Sequence, residues 1–136
     1  MAWSRSFVIH GRPVAKKNRH RVRFRGGRAF VGNDGVYLAW ANSATLELVM
    51  QRGRLPAIKG PVGVDVRVYL AKGQRMDVDN ALGGPFDVLQ GAAVIENDSQ
   101  IKAGPLPQML RDPKRPRVEI DMWPAELRDG RWGRAV

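Results

Sequence analysis

The residues best suited to chemistry lie between positions 75 and 101, "RMDVDNALGGPFDVLQGAAVIENDSQI". Asp77, Asp79, Asp87, Glu96 and Asp98 fall there, five of the thirteen acids of the chain. In extended backbone Asp77 and Asp79 would point the same way, with Cα atoms about 6.6 Å apart. Carboxylates at that spacing can converge on one hard cation or share a pair. Mg²⁺ (or Mn²⁺) takes oxygen ligands, keeps several waters, and is often held by one or two carboxylates with a substrate phosphate. Asp98, delivered by a separate element, would complete the set. Asp77, Asp79 and Asp98 are therefore the candidate catalytic and metal-holding residues. An ion held this way activates water and offsets the charge that develops on a phosphodiester under attack.

The acids sit in a strongly basic chain. Against 13 Asp and Glu stand 23 Lys and Arg, a net charge of +10 over 136 residues. Residues 1–33 hold nine of these cations and no acid. Such a block attracts phosphate backbones from a distance, and it offsets the repulsion that the carboxylates alone would exert. Lys16, Lys17, Arg19, Arg21, Arg23, Arg25 and Arg28, with Arg75 and Lys102 nearer the acids, are the candidate nucleic-acid contacts. A solvated basic face would have the same composition. Other chemistries are excluded more firmly. With no cysteine, disulfides and thiolate metal sites are impossible. "DVDNALGG" is no calcium loop, since Ala81 takes the third ligand position and no glutamate closes it. "GGPF" lacks the Lys-Ser or Lys-Thr of a phosphate-binding loop, and His10 and His20 lack metal-ligand spacing. No apolar run reaches membrane-spanning length, so a soluble, cytoplasmic protein with no membrane partner is expected.

The elements that must position the acids are legible in outline. Residues 4–10 read as a first strand and residues 20–31 as a basic hairpin or arm turning at Gly26-Gly27. Asn33 or Asp34 can cap a helix over residues 36–51, with Val36, Trp40, Ala44 and Leu48 on one stripe. Its apolar surface is wider than one face, as suits a central helix or a subunit contact. Val62, Val64, Val66, Val68 and Leu70 alternate with Gly63, Asp65, Arg67 and Tyr69, a half-buried strand running toward Asp77. Gly83, Gly84 and Pro85 weaken any helix after the acids, or restart it at Pro85. Residues 99–103 suggest a short strand, 104–116 a proline-broken loop, and 117–123 a last strand. An α+β fold is expected: one small domain over residues 1–123, a mixed sheet packed against helices, and a mobile tail over 124–136.

"RMDVDN", "FDVL" and "NDSQI" together resemble the signature of RusA-type Holliday junction resolvases, small endonucleases common on phages and prophages. "PVAKKNRHR" and "GVYLAWAN" sit where that family has its first basic segment and first helix, so the likeness spans residues 7–101 and the final strand. The resemblance implies a RusA-like homodimeric α+β fold, Mg²⁺ dependence, and paired nicks in four-way or related branched DNA during recombination and repair. It assigns the metal to Asp77, Asp79 and Asp98, and includes Asn80 and Gln100 without a catalytic role. One position departs. The family has a lysine four residues past the second aspartate, where this chain has Gly83. Either Lys72, Arg75 or Lys102 supplies the missing charge, or the protein is a junction- or nucleic-acid-binding module with little or no cleavage.

Overall fold

In chain order the elements are β1 (Arg5–His10), β2 (Arg21–Arg25), β3 (Arg28–Gly32), α1 (Gly35–Arg52), β4 (Val62–Leu70), α2 (Gly83–Gly91), β5 (Ile101–Ala103), β6 (Gln108–Arg111), β7 (Arg117–Arg128) and β8 (Arg131–Arg134). Single 3₁₀ turns stand at Val78–Asn80 and Asp98–Gln100. This computed structural model describes residues 3–16, 21–25, 28–32 and 35–136, with the backbone alone for 21–25 and 28–32. Lys17, Arg19, His20, the Gly26-Gly27 turn and the Asn33 and Asp34 caps lie outside the described residues.

The fold is α+β, as expected: a mixed six-stranded sheet with two helices on one face. β7 lies between β1 and β4 and is antiparallel to both, with Ile120 opposite Phe7 on one side and Val66 on the other. β5 and β6 share the free edge of β4, both parallel to it. β2 and β3 form a separate hairpin, with Arg25 opposite Arg28. The alternation in β4 sends Val62, Val64, Val66, Val68 and Leu70 into the core with Trp40, Ala44, Leu48, Val88 and Leu89. Each such side chain contributes about 1.5–3 kcal/mol on burial. Asp65, Arg67 and Tyr69 face the open side.

Five expectations are corrected. The buried stripe of α1 is Tyr37, Trp40, Ala44 and Leu48, whereas Val36 is 66% exposed. Trp40, Ala44 and Leu48 are as expected and only the first position changes, where Tyr37 is buried and its Oη meets Asp87 on α2. Residues 104–116 are not all loop: β6 pairs Met109 with Val68. Five residues between Pro107 and Pro113 leave no alternation to read, and an edge position tolerates prolines just outside the ladder. Beyond Trp123 the chain is regular. β7 crosses the expected boundary unbroken and turns back into β8 through Asp129 (φ 51°) and Gly130 (φ 74°), the two positive angles of a type I′ hairpin. α2 starts at Gly83 rather than Pro85. Pro85 falls in the first turn, where the missing N–H would have no helical partner. Finally, the segment holding Asp77 and Asp79 is not a plain extended run, since Val78–Asn80 is a 3₁₀ turn.

Two glycines set close approaches. At Gly104 (φ 145°) a Cβ would run into the Val64 carbonyl, so only glycine lets the chain cross β4 between β5 and β6. At Gly84 a Cβ would lie 3.0 Å from the Trp40 ring, so glycine seats α2 against α1.

Candidate active site

The loop after β4 carries the chain to the acids, and its anchors are polar. The buried Gln74 accepts from the Ala71 N–H at 2.9 Å and donates to the Pro13 carbonyl. Arg111 on β6 donates to the carbonyls of Ala71 and Gln74, the latter at 2.9 Å. The loop is therefore tied both to the sheet edge and to the basic segment after β1. Asp77 then enters with extended backbone (φ −76°, ψ 144°), and Asp79 lies inside the turn. The backbone changes from extended to 3₁₀ between the two, so plain strand alternation does not set their relation. Both are exposed.

Asp98 is positioned from elsewhere. Its N–H donates to Gln90 Oε1 of α2 at 2.9 Å, and Ser99 N–H donates to Asn97 Oδ1 at 2.8 Å. Gln100 spends its whole amide on structure. Its Oε1 accepts from the N–H groups of Glu96 and Asn97 at 2.7 and 2.9 Å, and its Nε2 donates to the carbonyls of Ile58 and Gly60, both at 2.8 Å. The signal for this was present: Asn97 followed three residues later by Gln is a capping-box pattern. No such signal marks Gln74, Gln90 or Arg111, whose roles depend on distant backbone.

Asp77 and Asp79 thus stand before the first turn of α2, while Asp98 is pinned near its last. Among the described residues, no three His, Asp or Glu side chains converge as an ion-binding group. Nor does any of the three acids have a side-chain hydrogen bond or ion pair there. Hard carboxylate oxygens, exposed and unclaimed by protein cations, are the donor type that Mg²⁺ takes.

Lys16 sits where sequence reasoning left a gap. A Cβ on Gly83 would lie 3.4 and 3.5 Å from Lys16 Cβ and Cδ, so the lysine stem lies over this glycine. Its ammonium is 2.6 Å from Asp87 Oδ2, the same oxygen to which Tyr37 Oη donates at 2.8 Å. Burial first, then this carboxylate, pushes the Tyr37 phenol well above its usual range. Asp87 is the acceptor joining α1, α2 and Lys16. The Lys16 side chain is 36% exposed. Of the other candidate DNA contacts, Arg75 and Lys102 are exposed. Arg21, Arg23 and Arg25 occupy alternate positions of β2, and Arg28 begins β3.

The open face of the sheet is different in kind. Arg67 donates to Glu119 at 3.0 Å and to Asp121 at 2.9 Å, and Arg117 donates to Glu119 at 2.9 Å and Asp112 at 2.8 Å. Arg117 holds the carboxyls of Glu119 and Asp112 below their usual range, with Arg67 assisting at Glu119. Burial opposes this at Asp121, but hydrogen bonds from Arg67 and Ser6 outweigh it.

The fold and site together define a small α+β protein whose mixed sheet and two helices present exposed carboxylates on two turns. The family model described as endodeoxyribonuclease RusA matches residues 10–122, and the chain belongs to that family. It is 34% identical over 89 residues to the crossover junction endodeoxyribonuclease RusA of Aquifex aeolicus (strain VF5), a match covering 65% of this chain and 68% of that protein. No helix among the described residues is long and apolar enough to cross a membrane.

Proposed function

We propose that this protein is a divalent-metal-dependent endonuclease that nicks four-way and related branched DNA in symmetric pairs, acting as a homodimer in recombination and repair. One observation carries the reading: Asp77, Asp79 and Asp98 are exposed and without a protein cation, while Asp112, Glu119 and Asp121 at the open sheet face are each paired with an arginine. Family membership and the similarity to a crossover junction endodeoxyribonuclease support it. Mg²⁺ held by these carboxylates supplies polarised water and charge stabilisation at the phosphate. The rest falls to the chain. Arg75, Lys102 and the basic hairpin draw in and orient the strand. Lys16, lying over Gly83, meets the phosphate near Asp79 and takes the place of a lysine at position 83.

Two nicks related by symmetry call for two sites, which a two-fold dimer provides. The geometry within one chain adds a reason. Asp98 is held near one end of α2 and Asp77 and Asp79 near the other, and a nine-residue helix is about 13 Å long. We infer that a second copy brings its Asp98 to Asp77 and Asp79. The exposed Leu38, Leu46, Val49 and Met50 on α1 are the candidate contact. Mixing Asp77→Asn with Asp98→Asn protein tests this. Shared sites regain single nicks in the mixed dimer, because one of its two sites is whole; sites built within one chain regain none.

The activity itself is tested on a labelled four-way junction, with and without Mg²⁺. Metal-dependent nicks placed symmetrically across the junction are expected. Junction binding without nicks under Mg²⁺ or Mn²⁺ would favour a binding module, the reading that Gly83 invites and that the position of Lys16 argues against.

A further inference from the structure

The family match ends at residue 122, yet the chain continues as a regular hairpin formed by the end of β7 and β8. Leu127 and Trp132 are opposite one another across it and are 58% and 39% exposed. The Lys102 ammonium stands 6.0 Å from the centroid of the Trp132 ring, so β8 is joined to β5 by a cation–π contact. The same arrangement repeats further along: Arg134 stands 5.7 Å from the centroid of Trp123, whose ring lies over Gly63 where any Cβ would collide with it. The hairpin also carries Arg128 and Arg131 opposite one another. Arg128 is paired with Glu126, but among the described residues Lys102, Arg131 and Arg134 have no ion pair. An exposed aromatic ring flanked by unpaired cations presents both contacts that a nucleic-acid strand offers, a π-face and phosphates. Lys102 is four residues beyond Asp98, at most about 14 Å of chain.

We propose that this C-terminal hairpin is a platform for unpaired DNA: Trp132 stacks against a base exposed by unpairing, Lys102 and Arg134 on the same face take flanking phosphates, and Arg131 adds positive charge at the tip from the other face. Paired duplex covers its base faces, so a ring of this kind favours unstacked nucleotides, which occur at branch points. The inference rests on DNA being the substrate but not on cleavage.

The test is fluorescence anisotropy in EDTA, with a labelled oligothymidine single strand and a paired duplex of equal length. Trp132→Ala is expected to weaken binding of the single strand about five- to a hundredfold, with a much smaller change for duplex, and Trp132→Phe to retain most of the affinity. Arg131→Glu, at an exposed position with no internal partner, is expected to weaken both and to lower the salt slope. Circular dichroism and thermal melting check that each variant folds. Wild-type affinity for single strand in both Trp132→Ala and Arg131→Glu would overturn the proposal. So would a change in sedimentation without a change in DNA affinity, which would make the hairpin a subunit contact. Absence of metal-dependent nicks by the parent protein would sink the nuclease reading and leave this measurement standing.

Discussion

Asp121 on β7 and Asp79 beside α2 are the same residue type on the same small domain, and they keep opposite company. Asp121 accepts from Arg67 at 2.9 Å and from Ser6 at 2.7 Å, within a lattice that also holds Glu119, Arg117 and Asp112. Asp79, like Asp77 and Asp98, is exposed with no partner among the described residues. With 23 cations against 13 acids, an unpaired carboxylate is not for want of arginine. Fixing the Asp98 turn consumes Gln90, Asn97 and Gln100, all neutral amides. Asp77, Asp79 and Asp98 are held by their backbone, which leaves their oxygens for an external cation; Asp112, Glu119 and Asp121 are held by their oxygens.

The sharpest way to break this comparison is to neutralise one acid of each kind. Asp77→Asn, Asp79→Asn and Asp98→Asn are each expected to lower junction nicking about a thousandfold, a loss of roughly 4 kcal/mol in the transition state. Their melting should shift little, since exposed positions change stability within about 0.5 kcal/mol. Glu119→Gln should do the reverse, costing stability and sparing the rate per folded molecule. Wild-type nicking by the Asp98 variant would remove it from the site.

Lys16 is the next lever, because it bridges the two modes: a cation near the acids, itself held by Asp87. Lys16→Ala is expected to slow single-turnover nicking by about 10²–10³, as for a group that stabilises developing charge. Gly83→Lys in that background should recover much of the loss, since removing the Lys16 stem opens the space above residue 83. Gly83→Lys alone should leave the rate near that of the parent, because the stem already fills the space. A gain from Gly83→Lys alone, with no loss from Lys16→Ala, would mean that Lys16 contributes no charge to the reaction.

What the sequence made legible follows the same division. The β4 alternation, the length of α1 and the basic hairpin can be read because local pattern dictates them. The acids can be read because residue types at given spacings are local too. Lys16 over Gly83 could not be seen: the two are 67 positions apart, and a glycine pair reads as a broken helix when it in fact admits Trp40 and a lysine stem. β6 and β8 were hidden for a related reason. Short edge strands are specified by the strand they join, Met109 by Val68 and Trp132 by Leu127, not by a period of their own.

A smaller effect tests the sheet set alone. Glu119 bridges two guanidinium groups, and its side chain is 21% exposed. Glu119→Gln keeps the shape but weakens charge-assisted bonds to both arginines, for a loss of about 1–2 kcal/mol after allowance for partial exposure. Urea unfolding at pH 7 measures it. Stability equal to the parent would mean that the lattice is a solvated surface contributing nothing.

The smallest expected effect is in the pH dependence, and it isolates the cause of that loss. Glu119, Asp121 and Asp112 titrate below their usual values when folded, so on acidification the unfolded chain takes up protons first. Their stabilisation is fully present above about pH 5, and is lost as pH falls past the ordinary carboxyl values near 4 and through the lower folded ones. Melting temperature measured from pH 6 to pH 3 should therefore fall toward acid. In Glu119→Gln one of the three titrating groups is gone, so the decline should be shallower, and the two proteins should converge in stability at the acid end. Parallel curves would assign the Glu119 loss at pH 7 to packing rather than to charge, and the sheet acids would then differ from Asp77, Asp79 and Asp98 in burial alone.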